Sequence, residues 1–371
     1  MKQTVLLTER GYDALDRLLL MHGVKTLFLV CDGSFRFLKI REAVDTLEER
    51  LGIRVVRFDR FTPNPDWVSV VKAAAAFREA QTDWILAVGG GSAIDVAKCV
   101  RLFGRSALSP GEIPHPAGSG AHLIAMPTTA GTGSEATRFA VVYLDGVKQS
   151  VTDDACIPDF VLFDPGAPAS LPLCQKKATM LDALCHATES FWSVHSTEES
   201  EAYAWQAVRL ILLHRDGYLA GTEEGCTGML RAANLAGKAI NITQTTAGHA
   251  MCYKLTTLFG IAHGHAAALC DRLLFPWLAA RTERLTAAHP EASLRQRLSE
   301  LAAAYGCTTP GEAAARFVRF VDELDLPAPK AAPEDIPLLC GSVNVERLRN
   351  FPVPLAKEEI EAMYREILGI G

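Results

Sequence analysis

The sequence predicts an α/β N-terminal domain, built on a Rossmann-like, doubly wound parallel sheet, followed by an all-α C-terminal domain. Short β-rich runs alternate with helical patterns in the first half of the chain, which is typical of parallel strands joined by helices. Three glycines follow one of these runs and precede a helical segment. From Ala178 onward, Ala- and Leu-rich segments have a helical period and almost no β-branched runs. We therefore expect one domain over residues 1–173 and a second over residues 174–371.

The strands and helices of the first domain are assigned in chain order. Three apolar runs predict strands that each lead into a helical segment: "TLFLVC" (26–31), "IRVVRF" (53–58) and "WILAVGGGS" (84–92). The helical segments are "FLKIREAVDTLEERLG", "TPNPDWVSVVKAAAAFREAQ" and "AIDVAKCVRLF". Further strands are predicted at "HLIAMPT", "FAVVYL" and "FVLFDP" (160–165). This order favours a sheet covered by helices on both faces.

Length and composition limit the classes of function. A chain of 371 residues can form two domains with real cores, and 49% hydrophobic with 22% charged residues is ordinary for a globular protein. The net charge of −6 provides no basic field for nucleic acid. No apolar run reaches the roughly 18 residues of a membrane span, and charges interrupt the opening "MKQTVLLTERGYDALDRLLL" as they would not in a signal peptide. Ten cysteines without CxxC spacing indicate reduced thiols, so we expect a cytoplasmic protein that binds neither nucleic acid nor a membrane.

The first glycine loop, "AVGGGSAIDVAK" (87–98), suits a diphosphate. Gly89, Gly90 and Gly91 let the backbone approach a ligand, and the following helix offers free N–H groups and positive potential. We expect Ser92 to cap that helix, with Asp95 completing a capping box three residues later, and we count both among the cofactor-binding residues. The alternative is a purely structural strand-to-helix turn.

The second loop, "MPTTAGTGSEAT" (126–137), contains hydroxyls at Thr128, Thr129 and Thr132. The carboxyl ends of parallel strands meet at one edge of a sheet, so we expect the two loops to share a nucleotide site. The GxGxxG fingerprint of the standard dinucleotide fold is absent.

Asp32 follows the strand "TLFLVC" and is placed to accept hydrogen bonds from an adenosine ribose. A carboxylate there would repel a 2′-phosphate, which favours NAD(H) over NADP(H). Alternatively, Asp32 only begins the turn "CDGS".

Four side chains of the second domain form a candidate metal site. In "LDALCHATES" (181–190), Asp182 and His186 have the i, i+4 spacing that places both on one helix face. Taken alone, two residues with this spacing more often form a hydrogen bond than a metal site. In "AGHAMCYKLTTLFGIAHGHAAAL" (247–269), His249 and His263 would lie about 21 Å apart on one unbroken helix. They can meet only if the helix breaks near Gly260.

Three imidazoles and one carboxylate suit Fe²⁺, with Zn²⁺ as the alternative, because structural zinc usually recruits cysteine. His265 is expected to face away from this cluster.

The chain resembles the iron-dependent alcohol dehydrogenase family over essentially its whole length. The motifs "GGGSAID", "PTTAGTGSE", "DALCHATES", "AGHAMCY" and "AHGHA" occur in the order and spacing of that family. The resemblance implies an NAD(P)-binding domain, a helical metal domain and the two-domain architecture shared with dehydroquinate synthase. It also implies a metal held by Asp182, His186, His249 and His263. The cofactor contacts it implies are Gly89, Gly90, Gly91, Ser92, Thr128, Thr129, Thr132 and Lys148.

The stretch "HAMCYKL" departs from many members, which carry a second histidine where Tyr253 stands and a proline where Lys254 stands. A lysine entering a substrate site is costly unless it meets an anion. Together with "NITQTTAGHA", this stretch resembles the branch of the family that reduces phosphonoacetaldehyde. We expect Lys254, helped by Arg138 and Thr257, to bind the phosphonate, unless Lys254 points to solvent or pairs with a local acid.

The expected reaction is hydride transfer from the nicotinamide to a small anionic aldehyde, with Tyr253 and Lys254 as candidate catalytic residues. The final proton would come from the ribose hydroxyls, water or Tyr253. Alternatives are the reduction of phosphonopyruvate or an uncharged aldehyde, a lyase or cyclase like dehydroquinate synthase, and a non-catalytic nucleotide-binding protein. A homodimer is expected only because it is the commonest symmetry.

Overall fold

A computed structural model describes residues 3–116, 118–284 and 291–370. The chain divides into two compact units. The first comprises Met1–Leu171 and Gly221–Leu230, and the second comprises Pro172–Ala220 and Arg231–Gly371. The return of residues 221–230 to the first unit is a feature that the sequence analysis does not anticipate.

A six-stranded parallel sheet forms the centre of the first unit. The strands of this unit are β1 (Thr4–Leu7), β2 (Glu9–Tyr12), β3 (Thr26–Cys31), β4 (Arg54–Phe58), β5 (Trp84–Gly89), β6 (His122–Pro127), β7 (Phe139–Leu144), β8 (Val147–Thr152) and β9 (Phe160–Phe163). The order across the sheet is β1-β9-β6-β5-β3-β4, and every pair in it is parallel. The apolar runs predicted as strands at residues 26–31 and 53–58 are β3 and β4, and the run at residues 84–92 is β5 followed by the glycines that lead into a helix.

Helices cover both faces of this sheet, as predicted. They are α1 (Asp13–Met21), α2 (Ile40–Asp45), α3 (Leu47–Leu51), α4 (Trp67–Ala80), α5 (Gly91–Phe103) and α6 (Gly166–Ala169). Alternate β3 side chains enter different cores because successive residues of a strand point to opposite faces. Leu27 and Leu29 pack with α1 and α2, whereas Phe28 and Val30 pack with α4 and α5.

The predicted strand "FAVVYL" does form, but it lies outside the parallel sheet. β7 pairs antiparallel with β8 in a separate hairpin, with Leu144 opposite Val147. The turn between them is Asp145 and Gly146, both with positive φ, which is the geometry that a two-residue hairpin requires. Strand β8, "VKQSVT", is polar and half-exposed, so its sequence carries a weak strand signal.

The second unit is helical throughout the part that the structure describes. Its helices are α7 (Leu173–Trp192), α8 (Glu198–Ala220), α9 (Glu223–Thr243), α10 (Ala247–Phe259), α11 (His263–Ala279), α12 (Glu291–Ala304), α13 (Pro310–Glu323), α14 (Asp335–Gly341), α15 (Val345–Leu348) and α16 (Lys357–Leu368). Helix α9 begins in the segment assigned to the first unit and continues into the second. Helix α11 packs closely against both α7 and α10, and the candidate metal ligands lie on these three.

Two predictions about the chain as a whole can be compared with this fold. All ten cysteines are free thiols. Among the described residues, no helix combines the length and the apolar character that a membrane crossing would require.

Candidate active site

Helix α7 carries Asp182 and His186 on one face. Both side chains are buried, and His186 Nε2 lies 3.8 Å from Asp182 Oδ1. The i, i+4 spacing places them one above the other, as the sequence predicts. Their separation is longer than a hydrogen bond, so the carboxylate oxygen and the imidazole nitrogen do not satisfy each other.

The predicted break between His249 and His263 is confirmed. Helix α10 ends at Gly260, whose φ of 66° is left-handed, and α11 begins at His263. Glycine adopts this conformation without strain, so the chain can turn sharply there. As a result, the imidazole rings of His249 and His263 lie with centroids 5.4 Å apart, and their Nε2 atoms lie 3.5 Å and 4.0 Å from Asp182 Oδ1.

The cluster has the chemistry of a divalent metal site. The ligand atoms of Asp182, His249 and His263 all lie within 4.8 Å of one another, and His186 is next to them. Asp182 Oδ1 and His249 Nε2 are buried atoms with no hydrogen-bond partner in the described structure, which is costly unless a cation binds between them. One carboxylate and three imidazoles fit Fe²⁺ or Zn²⁺, and could leave a position for a substrate oxygen.

The pKa values of Asp182 and His249 also indicate a site for a cation. Burial alone would raise the pKa of Asp182, but the three imidazoles outweigh it and hold that pKa well below its usual range. Burial alone would lower the pKa of His249, but Glu189 and Asp182 outweigh it and raise the pKa to about 10. A metal therefore competes with a proton for His249, and its binding releases that proton.

Two groups behind the ligands orient their imidazoles. Glu189 is fully buried; its Oε1 accepts a hydrogen bond from His249 Nδ1, and its Oε2 accepts one of 2.6 Å from Thr246 Oγ1. His263 Nδ1 lies 3.7 Å from the Cys252 sulfur. Both contacts leave the Nε2 atoms facing Asp182, since each imidazole is held through its other nitrogen.

Glu189 and Cys252 were missed by the sequence analysis. A signal existed for Glu189, which follows Asp182 by seven residues and therefore shares its helix face. None existed for Cys252, because its sulfur reaches His263 only after the turn at Gly260.

Gly264 allows α11 to approach α7 at the cluster. A methyl group at this position would lie 2.5 Å from Asp182 Cβ and 2.7 Å from the Asp182 backbone nitrogen. His265 is buried on another side of α11, where it lines a surface pocket with Leu269 and Arg272.

The first glycine loop and Asp32 come together at the edge of the sheet. Strands β3 and β5 are neighbours, and Asp32 and Gly89 stand at their carboxyl ends. The chain reverses its direction of growth across the sheet here, which is where such sheets bind nucleotides. Asp32 Oδ1 accepts hydrogen bonds from the Ser34 backbone and hydroxyl, whereas Oδ2 lies beside Gly89, 2.9 Å from where a Cβ would stand. Asp32 thus caps the turn and also presents an oxygen to the glycine loop.

The threonine loop faces the glycine loop. A Cβ at Gly90 would meet Thr129, and one at Gly91 would lie 3.2 Å from Thr132 Oγ1. The Thr128 backbone donates a hydrogen bond to the Gly89 carbonyl. The absence of side chains at these glycines therefore keeps backbone and hydroxyl groups accessible at one place, which fits a diphosphate.

The capping prediction for α5 is wrong. The helix begins at Gly91 with Gly90 as its N-cap and no side-chain cap. Ser92 Oγ instead accepts a hydrogen bond from the Asn64 backbone. The Asp95 carboxylate is buried within the fold, where it accepts hydrogen bonds from Ser134 Oγ at 2.6 Å and from the Val141 backbone at 3.1 Å. It ties the threonine loop to α5, so its carboxylate is engaged inside the protein.

Lys98 completes this network. Its side chain is fully buried, and Nζ donates hydrogen bonds to Ser134 Oγ, Thr137 Oγ1 and the Phe139 carbonyl. Lys148, a predicted cofactor contact, is exposed on β8 opposite Tyr143 and favours ionisation of Asp95.

The residues predicted to bind substrate occupy different settings. The Tyr253 ring is parallel to that of His263 at 5.8 Å, and burial raises the pKa of its phenol, which therefore stays protonated. Lys254 is half-buried on α10, and its ammonium group makes no hydrogen bond or ion pair with the described residues. The Thr257 hydroxyl donates back to carbonyls of its own helix. Arg138 belongs to the first unit, where its guanidinium lies 3.6 Å from Asp154.

Sequence comparison matches the chain to one family in two segments. Residues 3–165 match the family described as iron-containing alcohol dehydrogenase. Residues 176–368 match the C-terminal domain of the same family.

Characterised relatives and solved structures agree with this match. The chain is 29% identical to long-chain-alcohol dehydrogenase 1 of Geobacillus thermodenitrificans, over 96% of the chain and 94% of that protein. It is 31% identical to the phosphonoacetaldehyde reductase of Streptomyces viridochromogenes, over 80% of the chain and 79% of that protein. Its fold resembles that of the sulfoacetaldehyde reductase of Bifidobacterium kashiwanohense in complex with NAD⁺, with a TM-score of 0.87, 25% identity and coverage of 100% and 98% of the two chains.

Proposed function

Because this chain belongs to the iron-containing alcohol dehydrogenase family, we propose that it reduces phosphonoacetaldehyde, a small anionic aldehyde, to 2-hydroxyethylphosphonate with NAD(P)H. The family binds iron and NAD(P), and its members are alcohol dehydrogenases and aldehyde reductases. Membership of the family does not identify the substrate, so the choice of an anionic aldehyde has to be argued from the side chains of this chain.

The Lys254 ammonium group is the main support for an anionic substrate. Lys254 lies on the same helix as His249, five residues further on, and is only half-exposed. No acid among the described residues pairs with it. An ammonium group without a counter-charge is stabilised if it receives the anionic end of a substrate. Two similar proteins, a phosphonoacetaldehyde reductase and a sulfoacetaldehyde reductase, act on aldehydes that carry such an anion.

In the proposed reaction, Asp182, His186, His249 and His263 hold the metal, and the glycine and threonine loops hold the cofactor. When bound, the metal supplies a Lewis acid and the nicotinamide supplies a hydride. Glu189 keeps the His249 Nδ1 proton in place, so that Nε2 presents its lone pair to the site. Lys254 binds the phosphonate and so fixes the orientation of the aldehyde. Tyr253, whose ring stacks on that of His263, keeps its phenol proton and is one source for the proton that the product alcohol needs, besides water and the ribose hydroxyls.

NADH oxidation by Fe²⁺-loaded protein tests the substrate directly. Phosphonoacetaldehyde, sulfoacetaldehyde, phosphonopyruvate and propanal are compared side by side. We expect the highest kcat/KM with phosphonoacetaldehyde, since its dianion gains most from a nearby ammonium group. A preference for propanal would refute the anionic substrate and keep the dehydrogenase. Conversion of a substrate without net NADH consumption would instead favour a lyase or cyclase.

The matched variants are Lys254→Ala and Lys357→Ala, the latter removing an exposed lysine at the start of α16. Loss of one charge-assisted contact costs roughly 1.5–3 kcal/mol, so Lys254→Ala should reduce kcat/KM for phosphonoacetaldehyde about 10- to 150-fold. Its effect on propanal should be small, and Lys357→Ala should affect neither substrate. Equal losses with both substrates in Lys254→Ala would contradict the assignment of Lys254.

A further inference from the structure

Asp271, in the middle of α11, is a buried acid to which the proposed reaction gives no role. Its side chain has 0% exposure. Neither of its carboxyl oxygens has a hydrogen-bond partner in the part of the chain that the structure describes. The Cys185 thiol beside Asp271 is only a weak donor, so an ionised carboxylate in such surroundings is strongly unfavourable. We therefore expect the Asp271 carboxyl group to be protonated.

Gly248, the residue before His249, lies close to both Asp271 and Glu189. A methyl group on Gly248 would overlap Asp271 Oδ1 and would lie 2.9 Å from Glu189 Oε1. The two carboxyl groups thus flank the same point, with a glycine where any side chain would force them apart. Glu189 Oε1 is also the oxygen that accepts the hydrogen bond from His249 Nδ1.

The donors around the two carboxyl groups are distributed unequally. Glu189 accepts hydrogen bonds from the Thr246 backbone, the Thr246 hydroxyl and His249 Nδ1, which suits an ionised carboxylate. Among the described residues, Asp271 has no nitrogen or hydroxyl donor of this kind and has the Cys185 thiol, a weak donor, beside it; two adjacent buried carboxylates are not both ionised. The proton of the pair therefore belongs on Asp271. Burial and the Glu189 charge also raise the pKa of Asp271 well above its usual range.

We propose that Asp271 is a neutral carboxylic acid that donates its proton in a hydrogen bond to Glu189, and that it thereby positions His249 for the metal. This inference rests on the proposed metal site. Asp271 acts through Glu189, which in turn fixes the Nδ1 proton of His249. It is a positioning residue, because it touches neither substrate nor metal.

Zinc affinity of the full-length protein separates this role from simple packing. The dissociation constant for Zn²⁺ is measured by competition with a chelator for the wild type, Asp271→Asn, Asp271→Leu and Asp322→Asn. Asparagine keeps a neutral donor, leucine keeps only the approximate shape, and Asp322 is an exposed carboxylate that pairs with Arg272. By analogy with other groups that support metal ligands, we expect Asp271→Leu to bind Zn²⁺ about 10- to 100-fold more weakly, and Asp271→Asn and Asp322→Asn to stay within about threefold of the wild type.

Two outcomes overturn the proposal. Wild-type affinity in Asp271→Leu would show that the donor is not needed, and equal weakening in both Asp271 variants would show that the acid is ionised. The infrared spectrum tests the proton itself: near neutral pH the wild type should show the band of a buried protonated carboxyl group, which Asp271→Asn lacks. Absence of that band in the wild type would refute the proposal even if Asp271→Leu does not fold. A wild type that binds no Zn²⁺ would refute the metal site, while the infrared band would still decide the state of Asp271.

Discussion

Gly264→Ala should damage the metal site although it removes no ligand. Gly264 is the second residue of α11, directly after His263. The added methyl group would stand 2.5 Å from Asp182 Cβ, whereas ordinary van der Waals contacts are 3.4–4 Å. Helices α7 and α11 would have to separate locally by about an ångström, since the obstructing atoms belong to the start of a side chain and to the backbone of α7. Asp182 and His263, which lie on these two helices, would separate with them.

The variant should lose stability because the added methyl group overpacks the interior. Extra carbon in a close-packed interior typically costs about 1–3 kcal/mol, and we expect about 2 kcal/mol here because one contact is with rigid backbone. For a unit of this size that corresponds to a fall in Tm of about 4–8 °C. Thermal unfolding is followed with and without Zn²⁺. The wild type should gain stability from the metal, and Gly264→Ala should lose most of that gain.

Gly311→Ala is the matched control. Gly311 is likewise the second residue of its helix, α13, and a methyl group there would meet nothing within 4 Å. Alanine is the better helix former, so this variant should be as stable as the wild type or slightly more so. If Gly264→Ala unfolds like Gly311→Ala and keeps the full response to Zn²⁺, the close approach of α7 and α11 does not control the site.

Three further predictions concern the nucleotide loop and the charges of the metal site. Asp32→Ser keeps a cap for the turn but removes the carboxylate beside Gly89, so the kcat/KM ratio for NADH over NADPH should fall by about tenfold or more. An unchanged ratio would leave Asp32 with its capping role alone. Lys98→Met leaves the Asp95 carboxylate buried without its cation, and chemical denaturation should show a loss of about 3–5 kcal/mol. The double variant with Asp95→Asn should recover part of that loss, and no recovery would argue against the pair. His249 has a pKa raised from 6.5 to about 10, so its protonated form is favoured in the metal-free fold at low pH and is lost as pH rises through about 10. Zn²⁺ affinity should therefore rise about tenfold per pH unit across this window, and chelator competition that finds no pH dependence would contradict it.

Features set by local pattern were predictable from the sequence. The β3 run "TLFLVC" is apolar throughout because helices cover both of its faces, and this marks a buried parallel strand. The break at Gly260 was predictable as well, because two histidines too far apart on one helix could meet only across a turn. The position of the strand "FAVVYL" in a separate hairpin was not predictable. Its apolar content favours a strand, but nothing local distinguishes a place in the sheet from a hairpin with the polar β8.

Features that depend on contacts between distant residues could not be predicted in this way. Asp95 has the spacing of a capping box with Ser92, yet its carboxylate is taken by Ser134 and Val141, which come from later in the chain. The local rule was outweighed because a buried network offers a carboxylate stronger partners than a helix end does. Asp271 and Glu189 are likewise invisible as a pair, since their positions are 82 residues apart in the chain and only the packing of α11 against α7 and α10 brings them together.

With a divalent cation bound, the charges buried at the metal site balance only if Asp271 is neutral. Asp182 and Glu189 each contribute one negative charge, and a divalent cation on the four proposed ligands cancels both. An ionised Asp271 would leave one net negative charge among side chains with almost no exposure, which is costly in a medium of low dielectric constant. A trivalent ion would leave one positive charge in the same place. Without a metal, a proton on His249 offsets one of the two carboxylates, which explains why the pKa of His249 is so high. With Asp271 neutral, the same arrangement that raises this pKa thus matches the charge of a divalent ion, and it does so through two carboxylates of which only Asp182 is a proposed ligand.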